Sequence, residues 1–478
     1  MYKVLLCWRY LLTRYLALAC IVSVMLGVAT LIVVNSVMSG FSTKLKDRLH
    51  NLLSDVDIET VRFSGIEDPD EKMERIKADP FLNSRIAAMA PTMEIFGMIQ
   101  YRYGTETIMR PVRIIGIDPV SRSAIGGFSE FLLDPAKRAA PATAFEPPED
   151  AVEFIKERQR FERRKEELQR QQDLPPGQKP LPDPTPFTPY VPEGIVVGNA
   201  IVSVPVATPP GAPKEEFYLL KRGDDVHLYT VSGQQLAPVH ARFLVSDYVK
   251  TEMSDYDSNY VYVPLDYLQK LRGMEGHVSS IQIRLNNPEE ADVVVQRLQE
   301  IFDETLPNGN RLYVIQTWQK KQGALFGAIA VERGLLNVLL FMIVAVAGFG
   351  ILAIFSMIVV EKTRDIGILK ALGASNGGVM KIFLGYGLLL GVIGAVLGTV
   401  LGLVFSININ EIEHFLTRLT GQEIFPRDIY YFATIPTNIQ GLAVTLVDVG
   451  AILIAVLASV LPALRAAMLH PVRALRYE

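Results

Sequence analysis

Residues 355–375 read F-S-M-I-V-V-E-K-T-R-D-I-G-I-L-K-A-L-G-A-S. The stretch begins as the end of a long apolar run and turns charged at Glu361. Thr363 is placed to cap a short helix, and Gly373 to end it in the left-handed conformation that helix C-termini favour. Ile366, Leu369 and Leu372 recur at helical spacing while Arg364, Asp365 and Lys370 stay polar, so one side of this helix is apolar. After Ser375 a second apolar run begins. An ordinary connecting loop is the plainer reading, but a half-apolar helix between two apolar runs suits the docking of a partner.

Working outward, four runs suffice for a helix to cross a bilayer, which takes about 20 residues: residues 15–41, 326–360, 382–408 and 439–464. The chain of 478 residues is 49% hydrophobic with mean hydropathy +0.24, too apolar for a wholly soluble protein and too charged for a wholly membrane-embedded one. Lys3, Arg9 and Arg14 precede the first run. Lys362, Arg364, Lys370 and Lys381 separate the second from the third, and Arg465, Arg473 and Arg476 follow the fourth. These clusters fall on one side, which the positive-inside rule makes cytoplasmic. The expected organisation is an α-helical membrane protein with four transmembrane helices. Residues 1–14 and 465–478 are cytoplasmic, 361–381 is a cytoplasmic coupling helix and loop, and 409–438 is an external loop. A large extracytoplasmic α+β domain, residues 42–325, lies between spans one and two.

In the third run Gly387, Gly391, Gly394, Gly398 and Gly402 recur every three or four residues, a face that lets another helix approach closely. Asp448 is the ionisable residue of the fourth run, suited to a polar pairing or to reaching the outer interface. Pro462 is expected to kink or end that span. Cys7 and Cys20 are the only cysteines, so the external domain contains no disulfide.

That domain alternates β-rich segments (residues 56–61, 113–117, 194–197, 226–230, 241–245, 259–263, 280–285 and 311–315) with helical ones (70–78, 266–271 and 288–303). Residues 134–190 depart from this pattern. Proline crowds both ends of a charged stretch, which predicts an exposed helix between extended linkers. Catalytic patterns are missing. There is no G-x-x-x-x-G-K-[ST] phosphate loop, no H-E-x-x-H, no zinc-spaced Cys/His cluster and no G-x-S-x-G elbow. Asp255-Tyr256-Asp257-Ser258-Asn259 opens like a calcium loop, but Tyr260 stands where the loop needs glycine. No catalytic residue, metal or cofactor is assigned to this chain, and its near-neutral charge gives no reason to expect nucleic acid.

The string E-K-T-R-D-I-G-I-L-K-A-L-G-A-S, residues 361–375, resembles the coupling segment of the FtsX/MacB/LolC-type ABC transporter permeases. Other elements agree. Val37-Met38-Ser39-Gly40-Phe41 is similar to the V-M-N-G-F of lipoprotein-releasing permeases, and Ile114-Ile115-Gly116-Ile117-Asp118-Pro119 to their I-x-G-I-D-P strand. Gly194-Ile195-Val196-Val197-Gly198, Gly223-Asp224-Asp225-Val226 and the A-L-R-Y-E ending of residues 474–478 also match. The resemblance spans nearly all the chain except residues 134–190.

It implies a non-catalytic permease of the bacterial inner membrane, paired with a second permease and bound to a cytoplasmic dimer of ABC ATPase subunits that hold ATP and Mg. In this reading Glu361, Lys362, Thr363, Arg364, Asp365, Ile366, Leu369, Leu372 and Gly373 face the ATPase, and Met38, Gly40 and Phe41 transmit motion on the outer side. The lipoprotein-releasing branch implies membrane lipid, a lipoprotein cargo and a periplasmic carrier as partners. The alternatives are export of another amphiphile or an FtsX-like regulator of a periplasmic peptidoglycan hydrolase.

Overall fold

The computed structural model describes residues 15–172, 189–206, 216–233, 235–251, 253–306, 309, 311–420 and 434–470. The basic clusters at 3–14 and 473–476, Cys7 and the A-L-R-Y-E ending lie outside them. The chain divides into a helical unit (residues 1–46, 324–427 and 432–478) and an α+β unit (47–323 and 428–431).

Helices α1 (Tyr15–Leu52), α2 (Gly323–Glu361), α3 (Thr363–Ala371), α4 (Asn376–Ile407), α5 (Ile409–Thr420) and α6 (Gly441–Met468) follow in chain order. Four of them, α1, α2, α4 and α6, are long and apolar enough to cross a membrane. At 38 residues, α1 is about 57 Å long, well beyond a hydrocarbon core of about 30 Å. It continues past residue 41 because Leu45, Leu49 and Leu52 keep a buried helical stripe going through charged sequence. The 409–438 connection, expected as a loop, opens with the amphipathic α5, and residues 421–433 lie outside the described ones. Helix α6 runs through Pro462 to Met468 and so does not end there.

The glycine face of α4 serves two helices. A Cβ on Gly387 would lie 2.5 Å from Ser459 Oγ, and one on Gly391 2.9 Å from Ala455 Cβ, both on α6. A Cβ on Gly394, Gly398 or Gly402 would lie 2.6, 2.7 or 3.1 Å from the Cβ of Val24, Val28 or Ile32 on α1. Partner numbers fall along α6 and rise along α1 as α4 is followed, so α4 runs antiparallel to α6 and parallel to α1. That is the sense required if successive spans alternate. Asp448 of α6 accepts a hydrogen bond from Thr399 Oγ1 of α4 at 2.7 Å, a polar pairing between spans.

The α+β unit is built on a nine-stranded sheet: β1 (Val56–Thr60), β2 (Ile86–Tyr103), β3 (Glu106–Ile117), β4 (Gly194–Gly198), β5 (Asp225–Val231), β6 (Pro238–Val249), β7 (Tyr260–Pro264), β8 (Ser280–Leu285) and β9 (Tyr313–Thr317). Its order is β9-β1-β8-β2-β3-β7-β4-β6-β5, and β5 pairs again with β2. The strands from β2 onward therefore close into a ring around Ile99, Ile114, Val197, Val226, Phe243 and Val261. The other three, with the start of β2, form an open layer under helices Pro69–Lys77 and Ala291–Ile301, with Val56, Ile58, Ile281, Ile283 and Leu298 between them.

Strand β2 makes both halves possible. One of its edges pairs first with β8 and then, at Met98–Gln100, with β5. Gly97 sits at the changeover, where a Cβ would meet Ile114 Cδ1 and the Tyr229 carbonyl oxygen, each at 2.5 Å. This strand is absent from the sequence expectation, because Pro91, Gly97 and the alanines of 87–90 mask its alternation.

Residues 134–148 correct the linker expectation. Ala144 and Phe145 are buried with Phe128, Leu132, Val196 and Tyr262, and Lys137 Nζ donates to the carbonyl oxygens of Glu146 and Ser246 at 2.6 and 3.1 Å. Burial of one aromatic ring and satisfaction of these carbonyls outweigh the proline-rich composition. Helix Glu149–Gln172 follows, as expected. Ile155 is buried, and the Gln159 amide exchanges hydrogen bonds of 2.8 and 2.9 Å with the Tyr190 backbone. Residues 173–188 lie outside the described ones.

Two substitutions test the packing. Gly97→Val should cost about 2 kcal/mol of the α+β unit's stability, as overpacking does, read by thermal melting of the full chain in detergent. Gly398→Val should push α4 off α1 and lower the yield of monodisperse protein; unchanged yield would argue against the close approach.

Candidate functional site

The segment between α2 and α4 is fastened at its start, middle and end. At its start Thr363 is not the N-cap. Lys362 takes that position and makes no side-chain cap bond. The Thr363 hydroxyl instead donates to the carbonyl oxygens of Val360 at 2.7 Å and Val359 at 3.2 Å, near the end of α2. The last carbonyls of a helix lack intrahelical donors, and a hydroxyl two residues beyond the end of α2 reaches them more readily than it reaches forward. Lys362 Nζ pairs with Asp365 at 2.6 Å.

In the middle, Ile366 (2% exposed) and Gly367 turn inward, Ile366 joining Phe355, Ile358, Val379, Phe383, Tyr386 and Ala463. At the end, Gly373 adopts φ +94°. Its N–H bonds the Lys370 carbonyl and the Ala374 N–H bonds the Leu369 carbonyl, the paired closure of a Schellman motif. Ser375 then caps α4, its Oγ accepting from Gly378 N at 3.1 Å.

Lys370 adds a tie that the sequence expectation lacked. Its Nζ donates to the carbonyl oxygens of Ala467 and, at 2.7 Å, Leu469. These are the terminal carbonyls of α6, where a cation is favoured by the helix dipole. Helix α3 is thereby attached to the ends of both α2 and α6.

What remains exposed is a narrow face. Arg364, Ile368 and Leu372 recur every four residues, with Ile368 44% and Leu372 81% exposed. Leu369 is half-buried. Of the three apolar residues expected on the docking side, only Leu372 points fully outward. Ile368 takes the place assigned to Ile366, a four-residue period hidden by the apolar character of both neighbours. Glu361, also exposed, precedes this face at the end of α2. The face thus carries two exposed aliphatic side chains, with Arg364 one turn before Ile368 and Leu372 one turn after it.

Met38, Gly40 and Phe41 lie elsewhere on α1. A Cβ on Gly40 would come within 2.4 Å of the Pro436 carbonyl oxygen, so the segment leading into α6 lies directly on this glycine. Hydrogen bonds fix it there: Asn438 N donates to Ser36 O and Gln440 Nε2 to Ser39 Oγ, both at 2.9 Å. Met38 and Phe41 are half-buried on either side. Among the described residues, no three His, Cys, Asp or Glu side chains gather as a metal site would require.

Comparison with known proteins places this geometry in context. Residues 337–471, which include all of α3, α4, α5 and α6 and most of α2, match the family described as FtsX-like permease C-terminal. The lipoprotein-releasing system transmembrane protein LolC of Xylella fastidiosa (strain 9a5c) is 24% identical over 464 residues, covering 97% of this chain and 94% of that protein. LolE of Haemophilus influenzae is 28% identical over 220 residues, 46% of this chain and 51% of its own. Among solved structures, the periplasmic region of MacB from Actinobacillus actinomycetemcomitans aligns with a TM-score of 0.25 and 10% identity, over 59% of this chain and 97% of that one. The chain carries an FtsX-like permease domain in residues 337–471 and is homologous to LolC across most of its length.

Proposed function

We propose that this chain is the permease subunit of an ABC transporter that releases lipoproteins from the bacterial inner membrane, driven by ATP that a separate ATPase dimer hydrolyses with Mg. The observation that carries the reading is α3: a short helix tied to two spans, with Ile368 and Leu372 left outside. A rigid apolar knob of this kind converts a partner's movement into movement of the spans, whereas a flexible loop would absorb it. In this reading α3 and both termini are cytoplasmic, and the α+β unit works on the outer side with a second permease and a carrier. Similarity to LolC over nearly the full length favours lipoprotein release over regulation of a peptidoglycan hydrolase.

Replacing Ile368 and Leu372 together by Asp should weaken association with the ATPase by roughly 30-fold or more, the loss typical of buried hot-spot residues. Insertion into the membrane should be unaffected, and co-purification from detergent reads the outcome. Lys370→Met should leave ATPase binding intact while lowering ATP-dependent release, because α3 loses its tie to α6. The function itself is tested with the permease pair and ATPase in proteoliposomes carrying a lipidated protein. ATP-dependent appearance of that protein in solution supports the assignment; hydrolysis without release overturns it.

A further inference from the structure

Within the α+β unit, the last turn of α1 and the residues just before α2 converge on β1, and charged side chains hold both. Arg284 on β8 donates to the carbonyl oxygens of His50 at 3.2 and 3.3 Å and of Leu53 at 2.9 Å. It also pairs with Asp55 at 3.2 Å. The other carboxylate oxygen of Asp55 accepts from Leu285 N at 2.8 Å, and His50 Nδ1 lies 3.3 Å from Asp55. Arg122 is buried, its Nη2 donating to the Leu52 carbonyl at 3.0 Å and its Nη1 to Gln282 Oε1 at 2.6 Å. Two guanidinium groups thus satisfy the orphan carbonyls at the C-terminus of α1, the end at which the dipole favours cations.

Two residues before α2, Lys321 Nζ lies 2.7 Å from Asp57 and 2.5 Å from Glu59, both on β1, and Asp57 also accepts from Ser54 Oγ. Burial alone would pull the Lys321 ammonium below the ordinary lysine value, but the two carboxylates outweigh it and hold it above.

The net stability of the ion pairs does not explain why charge is used here. A buried ion pair is worth little or nothing net against well-packed apolar side chains of the same volume. What it supplies is direction, since each guanidinium and carboxylate fixes its partners at bonding distance and angle. The neighbouring core of Ile58, Ile281 and Ile283 shows that apolar packing was available at this sheet.

We propose that Arg122, Arg284 and Lys321 are positioning residues that fasten the end of α1 and the entry to α2 to the same strand, β1, so that displacement of either helix end moves the sheet. The proposal rests on the transport reading for the source of that displacement.

The test uses the full permease pair with its ATPase in proteoliposomes. Lys321→Met combined with Asp57→Asn removes the tie without leaving a buried unpaired Asp57 carboxylate. Release per ATP hydrolysed should fall about tenfold, a usual size for coupling between sites, with assembly and hydrolysis retained. Lys321→Arg, which keeps the cation, should restore it. A purely structural tie would lower yield and melting temperature but leave release per ATP unchanged, and that result overturns the proposal. If the wild-type complex hydrolyses ATP but releases nothing, the transport assignment fails and hydrogen exchange decides the tie separately. Amides of residues 50–60 in the Lys321→Met, Asp57→Asn variant should exchange about tenfold faster than wild type, with β3 and β7 unchanged. Equal exchange would overturn it.

Discussion

Helix α4 touches two other spans at once, and it does so through positions that carry no side chain. In a bilayer, helices gain little hydrophobic free energy by associating, because lipid tails are as apolar as leucine; contact must come from close packing and dispersion. Gly387 and Gly391 admit α6, while Gly394, Gly398 and Gly402 admit Val24, Val28 and Ile32 of α1. One strip of small residues thus sets the register and relative direction of three helices. The Thr399–Asp448 hydrogen bond adds a polar tie along the same contact, between α4 and α6.

The two candidate regions of the helical unit hang from this trio. At one end α4 grows out of Ser375 directly after α3, whose lysine is bonded to the last carbonyls of α6. Further along α1, Gly40 seats the segment that leads into α6. Each region therefore joins two members of the trio at a helix terminus, where unsatisfied backbone groups make polar ties available. Helix α3 exposes Ile368 and Leu372 in spite of this anchoring.

The α+β unit follows a different rule of cohesion. Its two halves are joined by a single strand, β2, whose one edge changes partner at Gly97. The ring is cemented by aliphatic and aromatic packing. Within this unit, the last turn of α1 and the residues just before α2 are held to β1 and β8 by charge, with Asp55, Asp57, Arg122, Arg284 and Lys321 all engaged. Packing tolerates sliding more readily than oriented ion pairs do.

The amino-acid sequence alone determined whatever depends on local pattern. Long apolar runs marked the four long helices, alternating or β-rich residues marked eight of the nine sheet strands, and a glycine preceded by an amphipathic turn marked the end of α3. Tertiary structure decided whatever depends on which surfaces meet. Thr363 turned back to α2, Ile366 went inward and Ile368 outward, and the glycine strip was shared between two neighbours. Phe145 drew a proline-rich stretch into the core, and Pro91 and Gly97 stayed inside a strand. Local pattern shows that a side chain needs burial or a partner. Neighbours distant in sequence, such as Ala467 for Lys370 or Arg284 for His50, choose where that need is met.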